Sequence, residues 1–395
     1  MKNGSAPGID GITIEFIKMF WSHLGEFMTQ TFNVAYDTGK LSTTQCKAVI
    51  TLIHKGKDLP RNQLKNWRPI SLTNSDYKLL AKAMALRLNR VISLLVAEDQ
   101  TGFIKGRNIA TNLRTIDDTI TFLDQENLPG ILVGVDFAKA FDTISKSFII
   151  NSLKQFGFQQ NFCQWINTLL ANSQSCISHY GWISEPFPVQ RGIRQGCPLS
   201  PLLFVLAVEL LAIKVRNSNI KGIAIPQDCT NLNETFTTVV IKILQYADDT
   251  TLLLRDKQDL DIAMEIFENF KNISGLQINK QKTEAMWLGE KQANNEQPHG
   301  LTWVKQTKIL GVHFSNNTSA YHVEENWSEK IETIRNIVKR WSRRNLSIYG
   351  KILISKTLLI SQFIYLMQSI GMPDKTLNTI NQILFAFIWK KKYNN

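Results

Sequence analysis

The chain has 395 residues, 44% of them hydrophobic, and its 45 Lys and Arg against 33 Asp and Glu give a net charge of +12. This hydrophobic content can fill the cores of two or three domains, which excludes a disordered chain. The positive charge suits a polyanionic partner such as nucleic acid, although a basic protein without such a partner is also common.

The five cysteines and six histidines show no zinc-ligand spacing, which excludes a zinc or disulfide framework. The N-terminus lacks a basic segment followed by an apolar one, and the apolar stretch from Leu358 to Met367 is too short to span a bilayer. We therefore expect no membrane association and a nuclear or cytoplasmic location.

The first part of the chain, to about residue 125, is predicted to be rich in helices joined by basic loops. Between Tyr77 and Leu95, apolar residues recur at helical spacing while Lys and Arg mark a polar face. This pattern predicts an amphipathic helix.

A short apolar run from Ile131 to Val135 predicts a strand that is buried on both faces. The strand ends at Asp136, which offers a carboxylate at the edge of a sheet. The alternative for Asp136 is a structural one, because aspartate often caps the helix that follows a strand.

From about residue 126 to 315, predicted strands and helices alternate. The helix from Leu202 to Val215 is apolar on nearly all sides, which indicates a core helix. Ser200 marks its start, with Pro201 at the first helical position.

The segment Tyr246-Ala247-Asp248-Asp249 lies between the apolar run 239–244 and the apolar run 252–254, which predicts a strand, a tight turn and a strand. Two carboxylates held close together repel each other, so such a hairpin is typical of a divalent cation site. Aspartate also suits turns for purely local reasons. With Asp136 as a third carboxylate, the set could bridge two Mg²⁺ ions roughly 3.5 to 4 Å apart.

The C-terminal part begins after two polar stretches, Lys291 to Gly300 and Ser315 to Glu325, which are predicted to be loops. From Trp327 to about Trp389 we expect a helical bundle. Its basic residues are clustered with few acids among them, which favours a nucleic-acid partner. They are Lys330, Arg335, Lys339, Arg340, Arg343, Arg344, Lys351 and Lys356.

Three segments occur in the order of a reverse transcriptase palm. Asp136 to Asp142 resembles motif A, Arg194 to Pro201 motif B, and Tyr246 to Asp249 motif C. The sequences of these three motifs are similar to those of LINE-type (non-LTR) retrotransposons and of their group II intron relatives. Further segments resemble the N-terminal extension, the fingers, and motifs D and E: Asn3–Gly11, Trp67–Asn74, Gln100–Asn108, Ser274–Thr283 and Ile309–Val312.

This resemblance implies an α+β right-hand polymerase. Residues 1–125 would form the fingers with the N-terminal extension motif and the fingers–palm junction, 126–315 a palm with an antiparallel sheet, and 316–395 a helical thumb. The implied activity is an RNA-directed DNA polymerase that uses an RNA template, a DNA primer, dNTPs and two Mg²⁺ ions, with Mn²⁺ as a substitute. We expect the chain to be the polymerase fragment of a longer retrotransposon protein.

The resemblance also implies the residues of the metal site. Asp136 and Asp248 would bridge the metal ions, and the backbone carbonyl of Phe137 would complete the site. Asp249 would contribute charge more than a direct bond. Lys282 would donate a proton to the leaving pyrophosphate, although it could equally be a solvated loop lysine.

Other positions match those that hold the nucleotide in related enzymes. Lys55 and Arg68 would clamp the triphosphate, with Lys57 as an alternative to Lys55. Phe141 would be a steric gate against a ribose 2′ hydroxyl, or else a core residue. Gln195 and Gly196 would approach the nascent base pair, with glycine allowing the backbone to come close.

The remaining motif residues receive lesser roles. Arg107 would contact the template or stabilise its own loop, and Arg194 is expected to be solvated. Asp142 would support the motif A helix, and Cys197 is expected to be a small packed residue. Nucleic acid would be bound by Arg107 together with four thumb residues: Arg340, Arg343, Arg344 and Lys351.

Two alternatives stay open. One is a catalytically inactive or domesticated remnant that only binds RNA or a primer–template. The other is an RNA-dependent RNA polymerase, which shares the palm and the metals. Phe141 speaks against the second, because an RNA polymerase must admit the 2′ hydroxyl.

Overall fold

A computed structural model of the chain describes residues 1–56, 59–227, 237–316 and 321–389. The chain forms two compact units, each built from three separate segments. The first unit comprises Met1–Gly106, Phe137–Asn217 and Glu265–Ile278. The second comprises Arg107–Asp136, Ser218–Met264 and Asn279–Asn395.

The helices alternate with strands over most of the chain. They are α1 (Ile14–Met19), α2 (Trp21–Thr38), α3 (Ser75–Leu88), α4 (Ile92–Leu95), α5 (Ile109–Gln125), α6 (Ala140–Thr143), α7 (Lys146–Gln155), α8 (Gln160–Leu170), α9 (Ser200–Arg216), α10 (Lys257–Ser274), α11 (Tyr321–Trp341), α12 (Ile348–Ile354), α13 (Ile364–Ser369) and α14 (Asp374–Trp389). In the described residues, no helix is both long enough and apolar enough to cross a membrane.

The strands are short, as is usual for sheets in globular proteins. They are β1 (Lys47–His54), β2 (Trp67–Thr73), β3 (Pro129–Val135), β4 (Gln174–His179), β5 (Trp182–Ile183), β6 (Phe187–Pro188), β7 (Ile223–Gln227), β8 (Thr237–Ile241), β9 (Ile243–Tyr246), β10 (Asp249–Leu254), β11 (Glu284–Gly289), β12 (Thr302–Trp303), β13 (Gln306–Ile309) and β14 (Val312–Ser315).

The first unit contains a sheet of strand order β2-β1-β4-β5, with β6 also paired to β4. Strand β1 is antiparallel to β2 and parallel to β4. Helix α7 packs on α8 and α9. The prediction that α9 is a core helix is confirmed, since most of its side chains are buried. The helix begins at Ser200 itself, one residue earlier than predicted, with Leu199 as the capping residue.

The second unit contains a sheet of strand order β12-β11-β3-β10-β9. Its strands are antiparallel, except that β11 and β12 run parallel. Strand β3 lies in the middle, which explains its continuous apolar run, because a central strand is covered on both faces. Helix α5 and the C-terminal helices share one hydrophobic core with this sheet, and the indole of Trp327 is fully buried in that core.

Three local predictions need correction. The apolar run before Tyr246 is divided between two sheets, because β8 pairs with β7 and only β9 pairs with β10. The helix predicted from Tyr77 to Leu95 is broken into α3 and α4. The predicted loop from Ser315 to Glu325 is helical from Tyr321 onward, and its residues 317–320 lie outside the described part of the chain.

Candidate active site

The three predicted carboxylates come from neighbouring strands of the second unit. In the antiparallel pairing of β10 with β3, Thr250 lies opposite Val135. One step further along this register brings Asp249 opposite Asp136, so the two carboxylates meet where the paired strands β3 and β10 end. Asp248 precedes Asp249 in the turn that joins β9 to β10.

The turn of this hairpin contains an unfavourable backbone conformation. Tyr246 pairs with Asp249, which leaves only Ala247 and Asp248 to connect the strands. Two-residue hairpin turns require a positive φ at their first position, and Ala247 adopts a φ of +57°. A left-handed conformation costs a residue with a Cβ about 1–2 kcal/mol. The paired strands on both sides and the burial of the Ala247 methyl hold the turn in place.

A buried polar network supports the hairpin from below. The Asn112 amide of α5 donates to the Gln245 carbonyl at 2.8 Å, and the Gln245 amide donates to the Thr250 hydroxyl at 3.3 Å. All three side chains are buried. This network was not predicted from the sequence. The only local signal was a polar residue, Gln245, inside an apolar strand.

The backbone of Asp136 is also fixed. Its amide donates to the Thr283 hydroxyl at 3.2 Å, and its carbonyl accepts the Asn279 amide at 2.8 Å. The segment that carries Lys282 is thereby tied to the end of β3. The backbone of Asp136, at the end of β3, is thus held by hydrogen bonds at both its amide and its carbonyl.

Asp136, Asp248 and Asp249 place three acidic groups close together, which affects the pKa of Asp249. The pKa of Asp249 is raised to about 6. Desolvation by the surrounding protein is the largest cause, and repulsion by Asp248 and Asp136 adds to it. The side chain keeps an exposed edge, so solvent weakens this effect without removing it. A cation bound beside Asp249 would be stabilised by the same three charges.

A cavity opens beside these strand ends. Asp136, Asp249 and Lys282 lie in its wall together, so the structure brings the predicted proton donor to the carboxylates. Other lining residues, which the sequence analysis did not identify, include Glu284, Thr307 and Lys308. Among these, the Thr307 hydroxyl donates to Glu284 at 2.6 Å.

The carboxylates offer oxygen ligands of the kind that Mg²⁺ prefers. Within the described segments, no group of three His, Cys, Asp or Glu side chains is arranged so that it alone could hold a metal ion. Mg²⁺ does not need such a set, because in polymerase-type sites it is held by one or two carboxylates, substrate phosphates and water. The clustered acids and the open cavity beside them therefore fit Mg²⁺ that is bound together with a phosphate-bearing substrate.

Phe137 follows Asp136 and belongs to the first unit. Its ring is buried and stacks on Phe267, with ring centroids 6.0 Å apart. Phe137 forms a bridge with Ile278 in which Ala138 donates to the Gln277 carbonyl. The hydrogen bonds of this bridge do not use the Phe137 carbonyl, which is the atom predicted to bind metal.

The residues predicted to clamp a triphosphate lie on the β1–β2 hairpin of the first unit. Arg68 pairs with Ile53, and Lys55 follows Ile53 by two positions. The Lys55 amide donates to the Asn66 carbonyl at 2.9 Å, so the pairing continues past the end of β1. Both cationic side chains are exposed and share one face of the hairpin. The alternative candidate, Lys57, lies outside the described residues.

The Gln195–Gly196 loop is fastened to β2. The Ser71 amide donates to the Gln195 carbonyl at 2.8 Å. Gly196 has a φ of +107°, and a Cβ there would lie 3.1 Å from the Ser71 carbonyl oxygen. Glycine is therefore needed at this position for its conformation and for its close approach to β2.

Phe141 and Asp142 lie beside this loop. The Phe141 carbonyl accepts the Ile193 amide at 2.8 Å, and Asp142 accepts a hydrogen bond of 3.3 Å from the Gln195 side chain. Burial raises the pKa of Asp142. The Phe141 ring stacks on Phe204, with centroids 4.7 Å apart, but it is only half-buried. Part of its surface is thus accessible, and both predicted roles of Phe141 remain compatible with its position.

Arg194 was wrongly predicted to be solvated. Its guanidinium is buried, donates to the carbonyls of Cys46 and Gln174, and lies 4.9 Å from the centre of the Tyr77 ring. It therefore anchors the start of the loop that continues into Gln195. Cys197 is buried, as predicted.

The comparison with known families decides the assignment. A family model described as "Reverse transcriptase (RNA-dependent DNA polymerase)" matches residues 53–314. The chain belongs to the reverse transcriptase family. The matched range contains the carboxylates, the nucleotide-binding candidates and Lys282, so the predicted resemblance is confirmed.

Two curated relatives are retrotransposon proteins that are longer than this chain. The chain is 31% identical to the "Transposon TX1 uncharacterized 149 kDa protein" of Xenopus laevis. The match covers 100% of this chain and 29% of that protein. It is 28% identical to a Pol polyprotein of the retrotransposable element R2 of Popillia japonica, over 71% of the chain and 37% of that protein. The chain thus spans about a third of the length of these non-LTR retrotransposon proteins.

The fold comparison agrees. A structure of telomerase from Candida albicans, in complex with the TWJ fragment of telomeric RNA, matches 92% of this chain and 66% of that chain. The TM-score is 0.50 at 12% identity. The predicted α+β right-hand polymerase fold of this reverse transcriptase is confirmed.

The C-terminal residues predicted to bind nucleic acid have different environments. In this reverse transcriptase, Arg340, Arg343 and Arg344 are exposed around the end of α11, and Arg344 lies 4.7 Å from the centre of the Trp341 ring. Lys351 needs correction, because it is buried and its ammonium group donates to the Ile388 carbonyl at 2.8 Å. It holds α12 to α14 and does not face solvent.

Arg107 immediately precedes the N-cap residue of α5, Asn108, and is half-buried. The Asn108 side chain accepts the Ala110 amide at 3.0 Å and so caps the helix. This position agrees with a role of Arg107 at the start of α5, and its contact with a template stays a prediction.

Proposed function

We propose that the chain is an RNA-directed DNA polymerase that extends a primer 3′ hydroxyl with dNTPs on an RNA template, as part of a longer non-LTR retrotransposon protein. The observation that carries this proposal is the convergence of Asp136 with Asp249 across the β3–β10 pairing. The raised pKa of Asp249 supports it, because a carboxylate that is desolvated and also repelled by Asp248 and Asp136, beside an open cavity, is suited to bind a divalent cation.

In the proposed reaction, Asp136 and Asp248 would hold two Mg²⁺ ions, for which Mn²⁺ could substitute, together with the Phe137 carbonyl. When bound, the ions would lower the pKa of the attacking hydroxyl and stabilise the leaving oxygen. Asp249 adds negative charge beside them. Lys282, in the wall of the same cavity, holds the proton at its Nζ that the leaving pyrophosphate accepts.

The first unit supplies the proposed nucleotide-binding residues. Arg68 and Lys55 share one face of the β1–β2 hairpin, where their charges would bind a triphosphate. Gln195 and Gly196, fastened to β2, would contact the nascent base pair. The partly accessible ring of Phe141 would exclude a 2′ hydroxyl and so favour dNTPs.

The domain division is part of the same proposal. Residues 1–125 would serve as fingers, 126–315 as palm and 316–395 as thumb. Arg107 and the exposed arginines near the end of α11 would bind the nucleic-acid backbone. RNA and DNA partners would be met in the nucleus or the cytoplasm.

Primer extension on an RNA template tests the proposal. The assay compares dNTPs with rNTPs in Mg²⁺ for the wild type, for Asp248→Asn, and for Asp37→Asn as an exposed control carboxylate on α2. We expect extension with dNTPs by the wild type and by Asp37→Asn, and its loss in Asp248→Asn. Equal use of rNTPs would instead indicate an RNA polymerase. Template binding without any extension would indicate a binding remnant.

A further inference from the structure

Tyr365 contacts a part of the candidate active site that is far from it in sequence. It lies in α13, in the C-terminal region, and is half-buried. Its phenol hydroxyl donates a hydrogen bond to the backbone carbonyl of Leu310, in the turn between β13 and β14. Helix α13 is itself held to α5, since the Arg114 side chain donates to the Gln368 carbonyl.

The turn that accepts this hydrogen bond is strained. Ile309 pairs with Val312, so Leu310 and Gly311 alone connect the strands. Both adopt positive φ angles, +49° for Leu310 and +85° for Gly311. Such turns favour Asn-Gly or Gly-Gly, because only a few residue types tolerate the first position. Leucine is unfavourable there, so a donor outside the turn helps to hold its conformation.

The same turn forms part of the wall of the carboxylate cavity. Ile309 and Leu310 line the cavity together with Asp136, Asp249 and Lys282. A shift of the turn would therefore change the space in which the reacting groups are held. Displacements of about 1 Å near a reaction centre can reduce rates up to a hundredfold.

Tyr365 also lies close to the β9–β10 hairpin, which carries Asp248 and Asp249 and is the proposed catalytic hairpin. Burial and the nearby Tyr246 phenol both raise the pKa of Tyr365. Tyr246 pairs with Asp249 at the end of the hairpin. Helix α13, the Leu310–Gly311 turn and the catalytic hairpin thus approach one another at the Tyr365 side chain.

We propose that Tyr365 is a positioning residue for the polymerase reaction: its hydroxyl fixes the Leu310–Gly311 turn beside the carboxylate cavity. This inference rests on the proposed function, because the cavity is taken as the site of phosphoryl transfer. The alternative is that Tyr365 only packs, since its ring also contacts the hydrophobic core of the second unit. The two roles differ in what removal of the hydroxyl alone should do.

Tyr365→Phe keeps the ring and removes the hydrogen bond. We expect kcat for primer extension to fall about tenfold, with KM for the dNTP changed less than about twofold. The melting temperature should drop by no more than about 4 °C, since one hydrogen bond is lost. The matched control is Tyr36→Phe, which removes a phenol hydroxyl from a half-buried tyrosine whose ring packs against Trp165 in a tilted arrangement.

A rescue experiment separates positioning from packing. In the Tyr365→Phe background, Leu310→Asn creates the Asn-Gly turn that adopts this geometry without outside support. We expect the double variant to regain about half or more of the lost kcat. A packing defect at Tyr365 would not be repaired by a change in the turn.

Hydrogen exchange gives a readout that does not depend on activity. In Tyr365→Phe, the amides of Gly311 and Val312 should exchange about tenfold faster than in the wild type, while those of β3 stay unchanged. Unchanged exchange and unchanged kcat, in a protein that Asp248→Asn inactivates, would overturn the inference. If the wild type extends no primer, the proposed function fails, and the exchange rates alone decide whether Tyr365 fixes the turn.

Discussion

Asp249 shows how a single residue connects the stability of this protein with its chemistry. Its pKa of about 6 lies above the ordinary value of 3.8. The native state therefore holds this proton more tightly than the unfolded state. The stabilisation is present at low pH and is lost as the pH rises from about 4 through 6. At neutral pH the desolvation of the Asp249 carboxylate and its repulsion by Asp248 and Asp136 remain as a cost that a bound cation would offset.

Asp249→Asn should therefore stabilise the protein without metal. At pH 7.5 we expect the free energy of unfolding to rise by about 1 kcal/mol, after allowance for solvent screening of a partly exposed group. At pH 4 the variant and the wild type should be equally stable. Urea denaturation at both pH values measures this difference. Asp37→Asn is the control, and an equal gain at both pH values would argue against carboxylate repulsion.

Phe141 determines the choice of sugar in the proposed mechanism. Phe141→Val should lower the preference for dNTPs over rNTPs about tenfold or more, which corresponds to about 1.4 kcal/mol, because the smaller side chain admits a 2′ hydroxyl. The ratio of kcat/KM for the two substrates measures it. Phe158→Val, which also breaks a stacked ring pair, with Phe162, is the control. An unchanged ratio would leave Phe141 with a packing role only.

At the scale of elements, the catalytic hairpin depends on helix α5. Asn112→Ala removes the donor to the buried Gln245 carbonyl. We expect a loss of about 1–3 kcal/mol in the free energy of unfolding and a lower kcat, because Gln245 directly precedes Tyr246. Thr111→Ala, at an exposed position of the same helix, should change neither. A stability loss with normal kcat would confine Asn112 to a structural role.

The catalytic hairpin and β3 were predictable because their signals are local. Alternation between apolar runs and acids marked both β3 and the turn at Asp248. The network of Asn112, Gln245 and Thr250 was not predictable, since Asn112 is distant in sequence from the hairpin that it supports. For the same reason Arg194 and Lys351 were misjudged. Each lysine or arginine is expected to be solvated until a carbonyl from another element is known to accept its hydrogen bonds.

At the scale of the whole molecule, the compact units do not follow chain order. Each combines three separate segments, and Asp136 is the last residue of one segment of the second unit. The proposed fingers, palm and thumb are instead consecutive ranges. Composition and loop signals report only where the chain becomes polar. They carry no information on which distant segments pack together. The fold was therefore predicted from the resemblance to a family more than from the periodicity of the sequence.

The net charge of +12 predicts that nucleic-acid binding depends on salt concentration. Replacing Arg340, Arg343 and Arg344 by Gln should weaken primer–template binding and reduce the slope of log K against log salt by roughly two to three. Fluorescence anisotropy at several salt concentrations measures it. The control replaces Lys40, Lys154 and Lys214 by Gln. These lysines are also exposed, and their replacement removes the same amount of charge. Equal slopes for both triple variants would show that only overall charge matters.

The central claim is that Asp136, Asp248 and Asp249 form one divalent-cation site, and Mn²⁺ binding followed by electron paramagnetic resonance tests it most directly. At pH 7.5 the wild type should bind Mn²⁺ saturably, more weakly at pH 5, where Asp249 is protonated. Asp136→Asn should weaken binding at least about tenfold, while Asp37→Asn should not. Equal binding by the wild type and Asp136→Asn would contradict the account.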